Sequence, residues 1–254
     1  MSRRLLAPFV GIIGFLALWE AVVRVSNVRP FVLRSPSRIV GYLARHAGDY
    51  AGAAWVTAQH ALIGTLLGLL VALLIGSGMA ASRFADQAAQ PVLTLLQVTP
   101  FVAYIASVVL WLGSGTRPAV FIVALVCMPA FAFATVDGMR SADPAARELL
   151  ASVDASRLEV LWRLRLPSAI PSLFTTARYN VGLALIASYL VEGGNFANQG
   201  LGAIGKRAAS LNEGDALWGA IFAMSILGTL ALLVISLLQR LVMGWHVSQR
   251  TRPR

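Results

Sequence analysis

The chain has 254 residues, of which 57% are hydrophobic and only 13% are charged. Soluble domains carry about 25% charged residues, so this composition excludes an ordinary soluble protein and indicates a membrane protein. The net charge of +10 does not point to nucleic acid here, because the arginines cluster at the ends of apolar stretches, which favours membrane lipid as the partner. With a single cysteine, Cys127, neither an intramolecular disulfide nor a cysteine-based metal site is expected.

Six apolar stretches, each close to the roughly 20 residues that a bilayer requires, predict an all-α polytopic membrane helix bundle with about six transmembrane helices. They cover residues 6–25, 58–80, 91–112, 118–135, 175–191 and 218–243. We expect the chain to form one domain, residues 1–254, in which the first stretch is retained as a span because no small-x-small cleavage site follows it. Residues 29–57 are amphipathic and are expected at the membrane surface, with a short helix opening at Ser35.

Small residues recur every four positions along the second stretch. They are Gly64, Gly68, Ala72 and Gly76. This spacing places them on one helix face and allows a second helix to approach closely. Static helix packing is the favoured interpretation, and a sliding helix pair that lines a pathway is the alternative.

Residues 145–171 are polar although long apolar stretches flank them, so this helix-forming segment must lie in water. Asp143 is followed by a proline, which is a good N-cap and first-turn pair for one short helix. Ser156 and Glu159 have the spacing of a capping box at the start of a second helix, which Pro167 is expected to end. An apolar stripe on the first helix is formed by Ala146, Leu149, Leu150 and Val153. The pattern indicates a docking element.

Polar residues of the fifth stretch are candidates for a pathway or a gate. They are Asn180, Ser188, Tyr189 and Glu192. An ionisable group in a membrane is a functional candidate by default, which gives Glu192 the most weight. Polar contacts between helices explain the first three equally well, and a terminal side chain that reaches toward water explains Glu192. Glu20 has a simpler account, because Arg24 lies one turn further along the same helix.

Residues 200–207 match G-x-G-x-x-G and nearly match a P-loop, with Arg207 at the position of the Mg²⁺-binding Ser or Thr. Both motifs require a preceding strand in a βαβ unit, whereas a polar loop precedes them here, so we expect a flexible glycine loop. Residues 193–215 as a whole are expected to form a loop with room for one short helix. No H-E-x-x-H or G-x-S-x-G motif is present, so neither a metal site nor a catalytic site is expected.

The polar segment resembles the cytoplasmic EAA loop of permease subunits of bacterial ABC importers. That loop reads E-A-A, three residues, G-A-S, and then an amphipathic run that ends in L-P-x-A-x-P. Here Glu148-Leu149-Leu150 stands for E-A-A, Asp154-Ala155-Ser156 stands for G-A-S, and residues 166–171 close the motif. The family's glycine is expected in a left-handed turn, and Asp is one of the few other residues that tolerate that conformation.

Further short motifs extend the resemblance to about residues 35–250. Trp111-Leu112-Gly113-Ser114-Gly115 is similar to the W-F-G-x-G of the nitrate, sulfonate, taurine and pyrimidine-precursor permeases. Residues 245–250 are similar to the W-H-x-S-x-R tail of the same group.

The resemblance implies the fold of type I ABC importer permeases and a pathway for a small polar or anionic solute. The implied partners are a second permease subunit, two cytoplasmic ATP-binding subunits and an extracytoplasmic solute-binding protein. ATP and Mg²⁺ would be bound by the ATPase subunits, and this chain would bind no cofactor. The EAA-like loop, about residues 136–174, would couple to the ATPase through Glu148, Leu149, Leu150, Asp154, Ala155, Ser156, Leu158 and Pro167.

The distribution of arginines predicts the orientation of the chain in a bacterial inner membrane. Most of them lie on the inner side if both termini and the EAA-like loop are cytoplasmic, which leaves residues 193–215 outside. A self-contained ion-coupled carrier or channel is the alternative to an importer subunit. It explains the spans but gives the patterned loop no role.

Overall fold

The computed structural model describes residues 2–26, 33–194 and 199–243, and within these ranges the chain is helical without a β-strand. The predicted all-α class is therefore confirmed. The helices are α1 (Ser2–Val25), α2 (Pro36–Arg45), α3 (Ala47–Ala81), α4 (Arg83–Val98), α5 (Ile105–Leu112), α6 (Thr116–Arg140), α7 (Pro144–Ser152), α8 (Arg157–Val160), α9 (Leu166–Glu192), α10 (Leu201–Ser210) and α11 (Gly214–Val242). The tail motif at 245–250 lies outside the described residues, as do residues 29–32 of the predicted surface stretch and residues 195–198 of the predicted loop.

The most extensive helix contact among the described residues joins α3 and α6 in parallel. The small residues of α3 are buried against α6, and they include Gly64, Gly68, Ala72 and Gly76. A Cβ atom at Gly68 would stand 2.7 Å from the carbonyl oxygen of Ala124, and one at Gly76 would stand 2.9 Å from that of Ala132. Real Cβ atoms do not approach so closely, so these glycines allow the two backbones to meet.

Helix α9 packs against α6 in the antiparallel direction and completes the core. Ala169, near the start of α9, lies against Gly138 near the end of α6. Further along, the side-chain amide of Asn180 donates to the carbonyl oxygen of Cys127 at 3.0 Å. The buried apolar side chains of the bundle gather around these three helices.

The two ends of the bundle carry different elements. One end, the α10 end, holds α2, α10, the starts of α3, α6 and α11, and the end of α9. There the Tyr50 hydroxyl of α3 donates to the carbonyl oxygen of Ala216 in α11 at 2.8 Å. The opposite end, the α7 end, holds α7, α8, the ends of α3 and α6, and the start of α9.

Three of the described helices, α3, α6 and α11, are long and apolar enough to cross a membrane. They contain the predicted second, fourth and sixth spans. A fourth is added if α4 and α5 count as one span, while α1 and α9, at the first and fifth predicted spans, are not among them. The described residues thus support a membrane helix bundle, and they give three to four spans by length and composition rather than six.

The predicted third span, residues 91–112, is not a straight helix. The chain bends by 86° between α4 and the helical turn Phe101–Tyr104 that leads into α5. The bend falls at Thr99, whose ψ of 127° is extended, because the following Pro100 excludes helical geometry at the residue before it. The sequence predicts the length of this apolar stretch correctly, but it does not predict the break in the helix.

Helix α3 begins earlier than the sequence predicts. It starts at Ala47 rather than at residue 58 and has 35 residues, which corresponds to roughly 50 Å. The predicted surface stretch is therefore divided: Ser35 precedes α2 as expected, but residues 47–57 belong to α3. A helix of this length exceeds the roughly 30 Å hydrocarbon core, so part of it projects beyond a bilayer.

Pro167 does not end a helix, and this prediction is wrong. Helix α8 continues through a π-helical stretch, Leu161–Arg165, directly into α9. Proline lacks the N–H that an α-helix would use at this position, and the wider π turn before it absorbs the defect. The polar segment is thereby joined to a core helix without a break in the helical backbone.

Candidate functional site

Helices α7 and α8 are both closed at their starts by side chains. The Asp143 carboxylate accepts from the backbone N–H of Ala145 at 3.0 Å, and Pro144 occupies the first turn of α7. At α8 the Ser156 hydroxyl accepts from the backbone N–H of Glu159 at 3.2 Å, and the Glu159 carboxylate accepts from the Ser156 N–H at 2.9 Å. Both caps have the predicted geometry.

The turn between α7 and α8 is set by one residue with a left-handed backbone. Asp154 has φ +52°, as expected for the residue that replaces the family's glycine. Around it the backbone N–H of Ala155 donates to the carbonyl oxygen of Leu150 at 3.0 Å. This turn fixes the angle at which the two short helices meet.

Large apolar side chains of this segment remain uncovered in the protomer. Leu149 is 68% exposed and Trp162 is 64% exposed, and Val153 and Leu158 are similarly open. Of the other residues predicted for this site, Glu148 and Ser156 are exposed, whereas Leu150, Ala155 and Pro167 are half-buried. Large apolar surfaces of this kind mark sites where another molecule binds. Trp162 was not among the predicted residues, although its position in the amphipathic run could have singled it out.

The Glu159 carboxyl is held in its charged form. The backbone N–H and then the hydroxyl of Ser156 bond to it, and these bonds, with the positive charge of Arg163, lower its pKa below the usual range. The carboxylate therefore stays available to cap α8 at mildly acidic pH.

A groove of about 640 Å³ separates α7 and α8 from the end of α3. Its walls include Ser77 and Ala81 of α3 and three arginines, Arg147, Arg157 and Arg165. The short helices thus meet the bundle along an open, basic cleft and are anchored mainly through the continuous helix into α9.

At the α10 end, a buried polar cluster surrounds Glu192. This side chain is 1% exposed, so it does not reach toward water, and the alternative of a terminal side chain at the membrane surface is excluded. Its Oε1 accepts from Nδ1 of His60 at 2.8 Å, and its Oε2 accepts from the Thr57 hydroxyl at 2.7 Å. The carboxylate also accepts from the backbone N–H of Gly202, in the first turn of α10, at 3.1 Å.

The same cluster closes the start of α10. The backbone N–H of Leu201 donates to the Thr57 hydroxyl at 2.9 Å, so Thr57 and Glu192 together satisfy the two leading N–H groups of the helix. Gly200 has φ +95°, and a Cβ there would collide with the Glu192 carboxylate. Nε2 of His60 lies 3.2 Å from the Thr116 hydroxyl, which extends the cluster to α6.

The remaining pathway candidates are mostly inside the protomer. Asn180 and Ser188 are fully buried, and the Asn180 amide serves as a contact between α9 and α6. Tyr189 is half-buried and packs closely on Gly202 and Gly205 of α10. Near α1, Glu20 binds Arg24 at 2.7 Å as expected and also accepts from the Ser37 hydroxyl at 2.8 Å.

The expected flexible glycine loop at residues 200–207 is instead mostly the helix α10. No strand precedes it within the described residues, which removes the setting that a P-loop requires. Among the residues that the structure describes, no group of three His, Cys, Asp or Glu side chains is placed to hold a metal ion. Sequence reasoning missed Thr57, His60 and Thr116, because nothing local connects them to Glu192.

The described residues thus form a membrane helix bundle with a capped polar helical segment at one end and, at the other, a buried carboxylate that closes the start of α10. The family model described as binding-protein-dependent transport system inner membrane component matches residues 64–247. The chain belongs to this family, whose members are permease subunits of ABC importers.

The chain is 27% identical over 253 residues to the formylaminopyrimidine transport permease protein ThiX of Halalkalibacterium halodurans, covering 98% of this chain and 99% of ThiX. It is 25% identical over 256 residues to the taurine transport system permease protein TauC of Escherichia coli, covering 97% and 92%. An inward-facing structure of the MetNI methionine ABC transporter matches with a TM-score of 0.68 at 16% identity, covering 78% of this chain and 98% of that chain. These relatives are transport permeases rather than enzymes, and the structural match supports the fold.

Proposed function

We propose that this chain forms the solute pathway of an ATP-driven importer and couples to separate ATPase subunits through α7 and α8. The observation that carries the proposal is the exposure of large apolar side chains along this segment. Leu149 is mostly exposed on the capped helix α7, and Trp162 is mostly exposed in the π-helical stretch that follows the capped helix α8. A segment that only connected two spans would have no need for two caps and a fixed turn. An ATPase groove that receives these side chains would bury them.

The proposed coupling follows the covalent path of the helices. Closure of the ATPase subunits would move α8, and the unbroken helical path through the π-helical stretch would carry this movement into α9. Because α9 packs along α6, and α6 along α3, the three core helices would rock together. Access to a pathway between two permease subunits would then alternate between the two sides.

The proposed assembly contains a second permease subunit, two cytoplasmic ATP-binding subunits and an extracytoplasmic solute-binding protein. ATP and Mg²⁺ would be bound on the ATPase subunits, and residues 1–254 would form one permease domain without a cofactor. Both termini and the α7 end would face the cytoplasm, and the α10 end would face outward. The solute would be small and polar or anionic, in keeping with the formylaminopyrimidine and taurine permeases among the relatives.

The buried residues of α9 would act on the pathway indirectly. Asn180, Ser188 and Glu192 are inside the protomer, so their proposed role is to hold helices in place. Tyr189 is the one candidate that is partly accessible, and it would contribute to a gate beside α10.

Cysteine cross-linking tests the coupling segment. In a Cys127→Ala chain expressed with its cognate ATPase, Leu149→Cys and Trp162→Cys should cross-link to the ATPase subunit. Leu211→Cys is the matched control, because Leu211 is also an exposed apolar residue but lies at the α10 end. Equal cross-linking of all three variants, or of the control alone, would contradict the proposal.

A further inference from the structure

Arg178 places a positive charge near the middle of the helix bundle. It precedes Asn180 by two residues in α9, and the Asn180 amide donates to the carbonyl oxygen of Cys127 in α6. At 1.5 Å per residue, Cys127 lies roughly 17 and 20 Å from the two ends of α6. The hydrocarbon core of a bilayer is roughly 30 Å thick, so the backbone of Arg178 lies close to the middle of a membrane that α6 spans.

The guanidinium of Arg178 forms no ion pair within the described part of the chain. All 11 acidic residues of the chain lie in the described ranges, and the ion pairs formed there involve other arginines or His60. Nη2 of Arg178 donates to the Ser236 hydroxyl of α11 at 3.4 Å, which is a long hydrogen bond to a neutral group. Arginine keeps its charge in proteins, so this charge still requires water or an anion at membrane depth.

Arg178 belongs to a face of α9 that points away from the core of the bundle. Thr175, Tyr179 and Gly182 lie on the same face, at spacings of three and four residues, and all are exposed in the protomer. Nothing lies within 4 Å of a Cβ built at Gly182, so there is open space one turn from the arginine. We call these four residues the Arg178 face. Because it carries a charge and two hydroxyl groups, this face is not expected to lie against lipid tails.

We propose that the Arg178 face lines the solute pathway and that Arg178 is a subsite for an anionic group of the solute, such as a sulfonate or a carboxylate. This inference rests on the proposed function, because the pathway is the one between two permease subunits. The planar guanidinium can donate two parallel N–H bonds to a group with paired oxygens, and the space at Gly182 can admit that group.

A single arginine suits a transport subsite because the solute must also leave it. An anion that enters the pathway balances the charge of Arg178, and this attraction favours its entry over that of a cation. Binding in a pathway has to be strong enough for entry and weak enough for release. One guanidinium without further buried donors meets both conditions, and the subsite thereby selects solutes by the sign of their charge.

Charged thiol reagents test both the accessibility and the charge preference of the Arg178 face. In the Cys127→Ala chain, assembled with its cognate ATPase in lipid nanodiscs that leave both membrane faces open, Gly182→Cys places a thiol one turn from Arg178. The probes are two ethyl methanethiosulfonates, one with a sulfonate and one with a quaternary ammonium group. Mass spectrometry of this chain gives both labelling rates. The exposed Ser210→Cys, at the α10 end, shows that both reagents are active.

The ratio of the sulfonate rate to the ammonium rate at Gly182→Cys should fall about tenfold when Arg178→Gln is added, because the removed charge lies about one helical turn from the thiol in a wet cleft. Arg178→Lys keeps the charge and should keep most of the ratio. Arg83→Gln is the matched control, since it removes an exposed arginine at the start of α4 and should leave the ratio unchanged.

A thiol at Gly182→Cys that reacts with neither reagent, while Ser210→Cys reacts with both, would overturn the inference, because the face would then lie in lipid or in a dry contact. An equal ratio with Arg178 and Arg178→Gln would overturn the anionic subsite. Addition of ATP and Mg²⁺ tests the proposed function separately. An Arg178-dependent ratio with rates that ignore ATP would contradict coupling to the ATPase and support the subsite.

Discussion

Glycines two positions apart on α3 have very different surroundings, and one substitution should therefore affect them differently. A Cβ at Gly76 would stand 2.6 Å from Cβ of Thr135, whereas nothing lies within 4 Å of one at Gly78. Gly76→Ala should lower the free energy of unfolding by about 1–3 kcal/mol, as overpacking does. Gly78→Ala should raise it by about 0.5–1 kcal/mol, because alanine favours the helix.

Detergent unfolding followed by circular dichroism would measure both variants in the isolated chain. The prediction fails if the two substitutions change the stability equally. It also fails if Gly76→Ala is more stable than Gly78→Ala, because a methyl group at position 76 would then fit between α3 and α6.

Two acidic residues show which parts of the site a sequence can reveal. The left-handed turn at Asp154 was predictable, because caps and apolar positions within a few residues on either side define it. The environment of Glu192 could not be predicted, because its partner His60 is 132 residues away along the chain. Local rules describe a turn, but only the packing of α3 against α9 shows that this carboxylate is enclosed.

The stability of the cap of α8 should depend on pH. The hydrogen bonds from Ser156 lower the pKa of Glu159, so the folded state binds this proton less readily than the unfolded state. The stabilisation is complete above the ordinary glutamate pKa and is lost as the pH falls through the lowered one. Amide hydrogen exchange in residues 156–160, corrected for intrinsic rates, should accelerate over that acidic range.

Glu159→Gln provides the control for this effect. It retains an oxygen that can accept from the Ser156 N–H, but it cannot titrate, so its exchange should be faster than that of the wild type at neutral pH and insensitive to acid. The same pH profile in both chains would show that Glu159 does not govern the cap.

The continuity of α8 with α9 could not be predicted from the sequence. Proline disfavours a continuing α-helix, and Pro167 therefore predicts an end. The π-helical stretch that precedes Pro167 carries the helix past it, and no local pattern in the sequence encodes that stretch. The bend at Thr99 had a local cause in Pro100, but the long apolar run on either side concealed it.

Across the chain, the apolar stretches were the most predictable feature, because hydropathy is a local property. The arrangement of these stretches could not be predicted. Nor could the parallel contact of α3 with α6 or the extension of α3 to Ala47.

The distribution of arginines predicts the orientation of the chain in the membrane. Cysteines at Ser141 and Ser210, in the Cys127→Ala chain, should label from opposite sides of intact cells and inverted vesicles, and labelling from one side only would exclude the topology.

In the proposed mechanism, this chain transmits the energy of ATP used by partner subunits through α7 and α8. ATP hydrolysis in vesicles that hold the chain, its cognate ATPase subunits and the binding protein tests it most directly. Asp154→Gly should retain the stimulation of hydrolysis by the binding protein, because glycine adopts φ +52° freely. Asp154→Pro should assemble but lose this stimulation, because proline cannot adopt positive φ.

The assembly that carries Lys206→Ala should hydrolyse ATP at the wild-type rate, because Lys206 lies exposed on α10 rather than in a P-loop.

Vesicles that hold this chain alone should not hydrolyse ATP. Full stimulation in the Asp154→Pro assembly would contradict coupling through the turn. Hydrolysis by the chain alone that disappears in Lys206→Ala would contradict the account as a whole, as would solute uptake driven by an ion gradient without the ATPase.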